Sequence, residues 1–244
     1  MPFLEFDRYL GTMALPQISL SGQKRISAAT ITVVGLGGTG GIAAELFART
    51  GVSTLRLIDD DKVSLTNIQR QVEYSEADIG KSKAEKLKER IGSINHNVNV
   101  EINSTRVNSD NYSVIGQPSL IFDGTDNFSA RSAINRYSVR NHIPWVMTAA
   151  NETFGTIKAI IPYETSCTAC LGYPDSGGEG IGCAQTGILP SAPVVIGSMA
   201  VSLGLKILIG EEVAGDIVYI DTWNYAIEKI KTSRNTKCRI CGEP

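Results

Sequence analysis

The sequence predicts an α/β fold: a Rossmann-like, mostly parallel sheet flanked by helices and continued by an antiparallel extension. Three observations predict it. The stretch ITVVGLGGTGGIAAELFARTG at residues 31–51 runs an apolar, β-branched strand into a glycine-rich turn and then a helical pattern. Strand and helix signals then alternate, as right-handed βαβ crossovers require. After residue 151 the strands read as having one wet face, the mark of antiparallel pairing.

Taken in order, residues 3–28 read as one or two short helices, an arm in front of the sheet. Strands are expected at 30–34, 54–58, 98–102, 120–122 and 145–148, and helices at 41–50, 81–94, 109–114 and 128–141. Later strands are expected at 155–161, 217–220 and 226–231. Between them, residues 172–190 are rich in Gly, Pro and Ser and read as a mobile crossover loop. Residues 192–209 read as a long apolar helix buried against the sheet. Without repeats or low-complexity tracts, the expectation is one domain over 1–244: an arm (1–28), a nucleotide-binding half (29–151) and an extension (152–244).

The 244 residues suffice for a large core, and 42% apolar with 20% charged residues is ordinary for a globular chain. A formal net charge of −2 supplies no broad basic field, which argues against a nucleic-acid or membrane-surface binder. No uninterrupted apolar run of about 18 residues appears, and the start Met1-Pro2-Phe3-Leu4-Glu5 lacks a leader pattern. A cytoplasmic location is expected.

In the turn, Gly35 permits the sharp bend, Gly37 and Gly38 let backbone approach an anionic phosphate, and Gly40 allows close helix–strand contact. The following helix start adds positive potential. Asp59, with Asp60 and Asp61 behind it, ends the second strand and can accept ribose hydroxyls. These features suit NAD as well as ATP. The next segment favours a triphosphate: Asn67-Ile68-Gln69-Arg70-Gln71 and then Gly80-Lys81-Ser82-Lys83 place further cations beyond the ribose acid. Arg70 is a fork-shaped donor and Lys83 a point charge, suited to a departing pyrophosphate. Lys81, Lys86 and Lys88 read as a solvated helix face. Asp123-Gly124-Thr125-Asp126-Asn127 follows a central strand. There Asp126 fits two readings equally, a Mg²⁺ ligand or, like Asn127, a helix N-cap.

Together these motifs resemble the MoeB/ThiF/HesA adenylyltransferases, compact relatives of ubiquitin-activating enzymes, and the match spans nearly the whole chain. The resemblance implies a homodimer that binds ATP and Mg²⁺ and adenylates the C-terminal glycine of a small β-grasp protein ending in Gly-Gly. It assigns phosphate to the Gly35–Gly40 turn and ribose to Asp59. It gives the triphosphate to Asn67, Arg70 and Lys83, and the metal to Asp126. Members carry a pattern resembling Arg-Tyr-x-Arg in the arm, reaching the partner subunit's ATP. Here Arg8-Tyr9-Leu10-Gly11 keeps only the first arginine, so Arg8 is the candidate for that contact in trans.

Five cysteines remain. Cys167 with Cys170, and Cys238 with Cys241, form two Cys-x-x-Cys knuckles, the ligand set of a structural zinc. A redox pair is the rival reading, but neither pair opens a helix after a strand. The resemblance also implies zinc. Cys183 falls in the crossover loop, where the family's matching cysteine can form a covalent thioester or persulfide-linked adduct with the carrier; an idle loop thiol is the equal alternative. His96 and His142 read as packing or solvent-exposed residues. The chain ends at Gly242-Glu243-Pro244, so any sulfur donor is expected to be a separate protein. An NAD-dependent oxidoreductase remains the alternative, with Arg70, Lys83, Asp126 and the knuckles unexplained. A non-catalytic scaffold is a third.

Overall fold

The computed structural model describes residues 6–174 and 187–242. Strand β1 (Thr30–Val34) is a run of threonine, isoleucine and valine, whose branched side chains suit a pleated and buried surface. It pairs in parallel with β2 (Thr54–Ile58) on one side and β4 (Leu120–Asp123) on the other. Strand β3 (Asn99–Asn103) lies parallel beyond β2, and β5 (Trp145–Asn151) parallel beyond β4. Strands β6 (Phe154–Ile160), β7 (Ile217–Asp221) and β8 (Ala226–Ile230) then add antiparallel, giving one eight-stranded sheet in the order β3-β2-β1-β4-β5-β6-β7-β8. The chain moves outward from β1 to β3 and then returns to β4. That reversal opens a crevice beyond the carboxyl ends of β1 and β4.

Alternation along the strands divides the core in two. Ile31, Val33, Leu55, Leu57, Phe122 and Val146 face one layer. Val34, Ile58, Ile121, Trp145 and Met147 face the other. The arm holds α1 (Leu10–Met13) and α2 (Ser19–Ala28). The first layer is covered by α3 (Gly38–Thr50), α5 (Lys83–Ile94) and α7 (Ser191–Ile209), and the second by α6 (Phe128–Asn141). A short α4 (Leu65–Ile68) stands between β2 and α5. Helix α3 ends at Gly51 in the left-handed region, φ +80°, where an added Cβ would lie 2.2 Å from the Tyr9 ring. The bare glycine thus seats the arm's Tyr9, whose hydroxyl accepts from Asn95 Nδ2 at 2.9 Å.

Helix α3 starts three residues earlier and β5 ends three residues later than expected, and three further details depart from the sequence expectations. Residues 109–114 form no α-helix; a single 3₁₀ turn spans Tyr112–Ile115. Asn111 Oδ1 accepts the Asn108 amide and Asn108 Oδ1 the Asp110 amide, each at 2.8 Å, so side chains satisfy the backbone in place of a helix. Helix α5 starts at Lys83, two residues later than expected, because Ser82 caps it and Val63 bonds Lys81 and Gly80 on both sides. Helix α7 is not fully buried. Ala192, Ile196, Ala200, Val201 and Gly204 enter the core, while Val195, Met199, Leu203 and Leu208 stay half-exposed. With mean hydropathy 2.0 over an 18-residue stretch of its 19 residues, α7 has the length and composition of a membrane span, yet it packs on α3, β5 and β6. Most of the expected crossover loop lies outside the described residues, and Cys183 with it.

Candidate nucleotide cleft and cysteine centre

A cleft of about 520 Å³ opens in the crevice at the ends of β1 and β4. Three glycines build its corner. Gly35 takes φ +83°, a Cβ on Gly40 would stand 1.8 Å from the Gly35 carbonyl oxygen, and one on Gly124 would stand 2.6 Å from it. Only bare backbone lets the two turns meet. Gly38 packs against Pro193 of α7, whereas a Cβ on Gly37 would meet only Gln71 Nε2, at 3.5 Å. The neighbourhood of Gly37 therefore leaves room at the start of α3, which has no side-chain cap. Its first amides and the helix dipole make that end a place for an anion.

Asp59 ties the glycine turn to the acidic loop after β2. Its Oδ2 accepts from the Leu36 amide at 2.6 Å and its Oδ1 from the Asp61 amide at 2.7 Å. Burial pushes the Asp59 pKa above its ordinary value, opposed by the Lys83 charge and the two amides. Lys83, only 4% exposed, donates to Asp61 Oδ2 at 2.9 Å. The first turn of α5 thus carries a buried ammonium to the cleft wall. Arg70 lines the cleft and spends one N–H on the Thr66 carbonyl at 2.9 Å.

Across the cleft the loop after β4 is held from below. The fully buried Asp123 accepts from Arg131 Nε at 2.9 Å through Oδ2, and from Thr125 through Oδ1. Arg131 Nη2 also donates to the Thr125 and Thr148 carbonyls. The loop so fixed presents Asp126, exposed at the cleft, and Asn127, whose side chain accepts from the Ala130 amide at 2.8 Å. Asn127 is thus the N-cap of α6, and Asp126 is not the cap.

Of the residues expected to meet a nucleotide, Gly35, Gly37, Gly38 and Asp59 line this cleft. Asp61, Arg70, Lys83, Asp126 and Asn127 line it as well. Gly40 stands behind the turn. Asn67 is not on the wall; its carbonyl accepts the Arg70 and Gln71 amides at 3.0 Å and shapes the turn that delivers Arg70. Arg8 lies away from its own chain's cleft and donates to the Ile94 carbonyl at 2.9 Å. Sequence reasoning missed Arg131 and the role of Asp123. An aspartate closing an apolar strand run was the available signal; an arginine eight positions on gave none.

The second constellation lies at the base of the antiparallel extension. Cys167, Cys170, Cys238 and Cys241 bring all four sulfurs within 4.8 Å of one another. The Cys167–Cys170, Cys167–Cys238 and Cys170–Cys241 separations are 3.9, 3.7 and 3.4 Å. Four thiolates about 2.3 Å from a tetrahedral Zn²⁺ would stand about 3.8 Å apart, so the arrangement fits that ion. All four are free thiols. The Asn235 amide donates to Cys170 Sγ at 3.4 Å and the Ile240 amide to Cys238 Sγ at 3.5 Å. Arg234 clamps the Cys241 carbonyl with two N–H groups. Nearby, the fully buried Lys158 of β6 donates to the Gly215 carbonyl and to Thr232 Oγ1, and burial pushes its pKa down to about 8.

The sequence profile of the ThiF family matches residues 9–240. The chain is 32% identical to the sulfur carrier protein adenylyltransferase of Thermus thermophilus, over 98% of this chain and 92% of that protein. It is 31% identical to the SAMP-activating enzyme E1 of Haloferax volcanii, over 98% and 90% of the two chains. The crystal structure of E. coli MccB superposes with a TM-score of 0.82 at 20% identity, covering 92% of this chain and 68% of that one. At that identity the likeness is one of fold.

Proposed function

Because this chain belongs to the ThiF family and is a nucleotidyltransferase of the MoeB/ThiF type, we propose that it adenylates one particular group. That group is the C-terminal glycine carboxylate of a small β-grasp protein ending in Gly-Gly, a sulfur carrier or ubiquitin-like protein. The observation that carries the reading is the convergence on one cleft of an uncapped helix start, the Asp59 carboxylate, two cations and the Asp126 carboxylate. An NAD-dependent oxidoreductase is not favoured, since the curated relatives are adenylyltransferases and an activating enzyme E1.

In this reading ATP lies with its phosphates at the Gly35–Gly40 turn and its ribose on Asp59. The carrier's carboxylate oxygen attacks the α-phosphorus, the bond to the bridging oxygen breaks, and pyrophosphate leaves with the electron pair. The nucleophile is already ionised, so the protein's work is orientation and charge stabilisation. Lys83 and Arg70 bear on the leaving phosphates, with Asn67 shaping the turn between them. Lys83 is held in place by Asp61, and breaking that pair frees its ammonium for phosphate oxygen. Bound Mg²⁺ would neutralise triphosphate charge, and Asp126 is the carboxylate that would hold it.

We assign zinc to the four cysteines, as a structural ion pinning the two ends of the extension together. A homodimer is supported by the half-exposed apolar side of α7 and by Leu10, Leu15 and Leu20 of the arm, 60%, 50% and 49% exposed. In such a dimer Arg8 is the arm's candidate for the partner's ATP, Gly11 having replaced the second arginine. Cys183 is the candidate for a covalent carrier adduct, and a separate protein would donate sulfur. A cytoplasmic location agrees with four unpaired thiols.

The test is carrier-dependent exchange of labelled pyrophosphate into ATP, in Mg²⁺, with Gly-Gly carriers of the molybdopterin, thiamine, tRNA-thiolation and protein-conjugation types. Exchange with one of them supports the reading and names the partner. ATP binding with no exchange for any carrier would refute it.

A further inference from the structure

Beyond Asp59 the cleft carries an apolar floor and a polar edge for which the chemistry at the phosphates has no use. Strand β1 bears the phosphate turn, β2 the ribose acid, and β3 is the next neighbour outward. A nucleotide with its phosphates on the first and its ribose on the second directs its base toward the loop after β3. That loop contributes Thr105, Arg106 and Val107 to the wall. Val107 and Ile58, 2% and 1% exposed, are apolar cleft residues at this end. Beside them Arg106 Nε donates to Asp60 Oδ1 at 3.3 Å, with Nη2 3.6 Å from Asp61 Oδ1. A guanidinium has five donors and a carboxylate about four lone pairs, so both groups keep capacity after pairing.

We propose that Asp60 and Arg106 read the edge of the nucleobase, Asp60 accepting from the exocyclic amine of adenine and Arg106 donating to the adjacent ring nitrogen. Ile58 and Val107 support the ring's face. The inference rests on the nucleotide reading of the cleft and adds to it the two residues that select the base. Adenine presents an amine donor beside a ring-nitrogen acceptor, and a neighbouring carboxylate and guanidinium match that pair. A purine without the amine leaves the carboxylate unanswered. Hypoxanthine sets a carbonyl oxygen in the amine's place, against the carboxylate. As a mere ion pair the two side chains, 65% and 42% exposed, would matter little to anything.

The experiment measures binding of ATP, ITP and purine riboside triphosphate by calorimetry on the full chain, with pyrophosphate exchange alongside. The parent protein should prefer ATP over purine riboside triphosphate by about tenfold or more, the worth of a hydrogen bond to a charged group. Asp60→Ala should bring that preference within about threefold, while Asp60→Asn, which keeps an acceptor, should retain most of it. Arg106→Ala should weaken ATP binding by about fivefold or more without changing the thermal midpoint. Preference and affinity unchanged in both alanine variants would overturn the inference and leave the nucleotide reading standing. Adenine preference that Asp60→Ala abolishes, in a protein without carrier-dependent exchange, would support the inference and refute adenylation. A parent protein that binds none of the three would overturn both.

Discussion

Arg131 donates from Nε to Asp123 Oδ2 at 2.9 Å, with the arginine side chain 7% and the aspartate 0% exposed. Asp123 lies beneath the cleft that Arg131 lines, and the pair fixes the loop that presents Asp126. Removing one partner strands a buried charge, which costs about 3–5 kcal/mol. Asp123→Ala should lower the denaturant midpoint accordingly with little change in slope. An Asp123→Leu, Arg131→Met double variant should recover part of the loss. A single variant as stable as the parent would mean the pair does not hold the loop.

Glu73 predicts the pH dependence of stability. It is 6% exposed, no side chain bonds either carboxylate oxygen among the described residues, and burial pushes its pKa up to about 7 against the pull of its own backbone amide. Glu45 adds to that rise and Arg90 opposes it. A raised pKa means the folded state holds the proton more tightly than the unfolded chain. The contribution is complete below the ordinary value of 4.5 and is lost as pH rises through about 7. The difference corresponds to about 3 kcal/mol. The parent should therefore lose stability between pH 5 and 8 relative to Glu73→Gln, whose curve should be flatter. Parallel curves would show that Glu73 finds a counter-charge.

Asp126 and Cys183 separate two halves of the proposed chemistry. Asp126 is exposed at the cleft, so Asp126→Ala should fold normally yet lower exchange about a hundredfold or more. Cys183→Ala should leave exchange within about threefold and abolish only a thiol-labile adduct with the carrier. Undiminished exchange in Asp126→Ala would remove its metal role.

The cysteine centre predicts metal content. Purified protein should carry about one zinc per chain, and Cys170→Ser should destabilise severely, since structural zinc contributes on the order of 10 kcal/mol. Elemental analysis and thermal unfolding with and without a chelator read both. A metal-free protein of unchanged stability would leave the four thiols as packing alone.

The sequence by itself determined the local chemistry. Glycines at 35, 37, 38 and 40 after a β-branched run specify a strand, an open turn and a helix start, because Gly35 takes φ +83° and a Cβ on Gly40 would collide with the Gly35 carbonyl. The knuckles were legible as two ligand pairs. What tertiary structure alone decided is how distant segments meet. Seventy-one residues separate Cys167 from Cys238, and only the antiparallel pairing of β6, β7 and β8 sets their sulfurs 3.7 Å apart. Lys83 was legible as a cation, but its burial and its hold on Asp61 arise from the docking of α5 beside the β2 loop. The partners Arg131 and Arg106 and the burial of Glu73 had no sequence signal. Each depends on a desolvation or a charge contact between segments that only the folded sheet brings together, and periodicity carries no record of such distances.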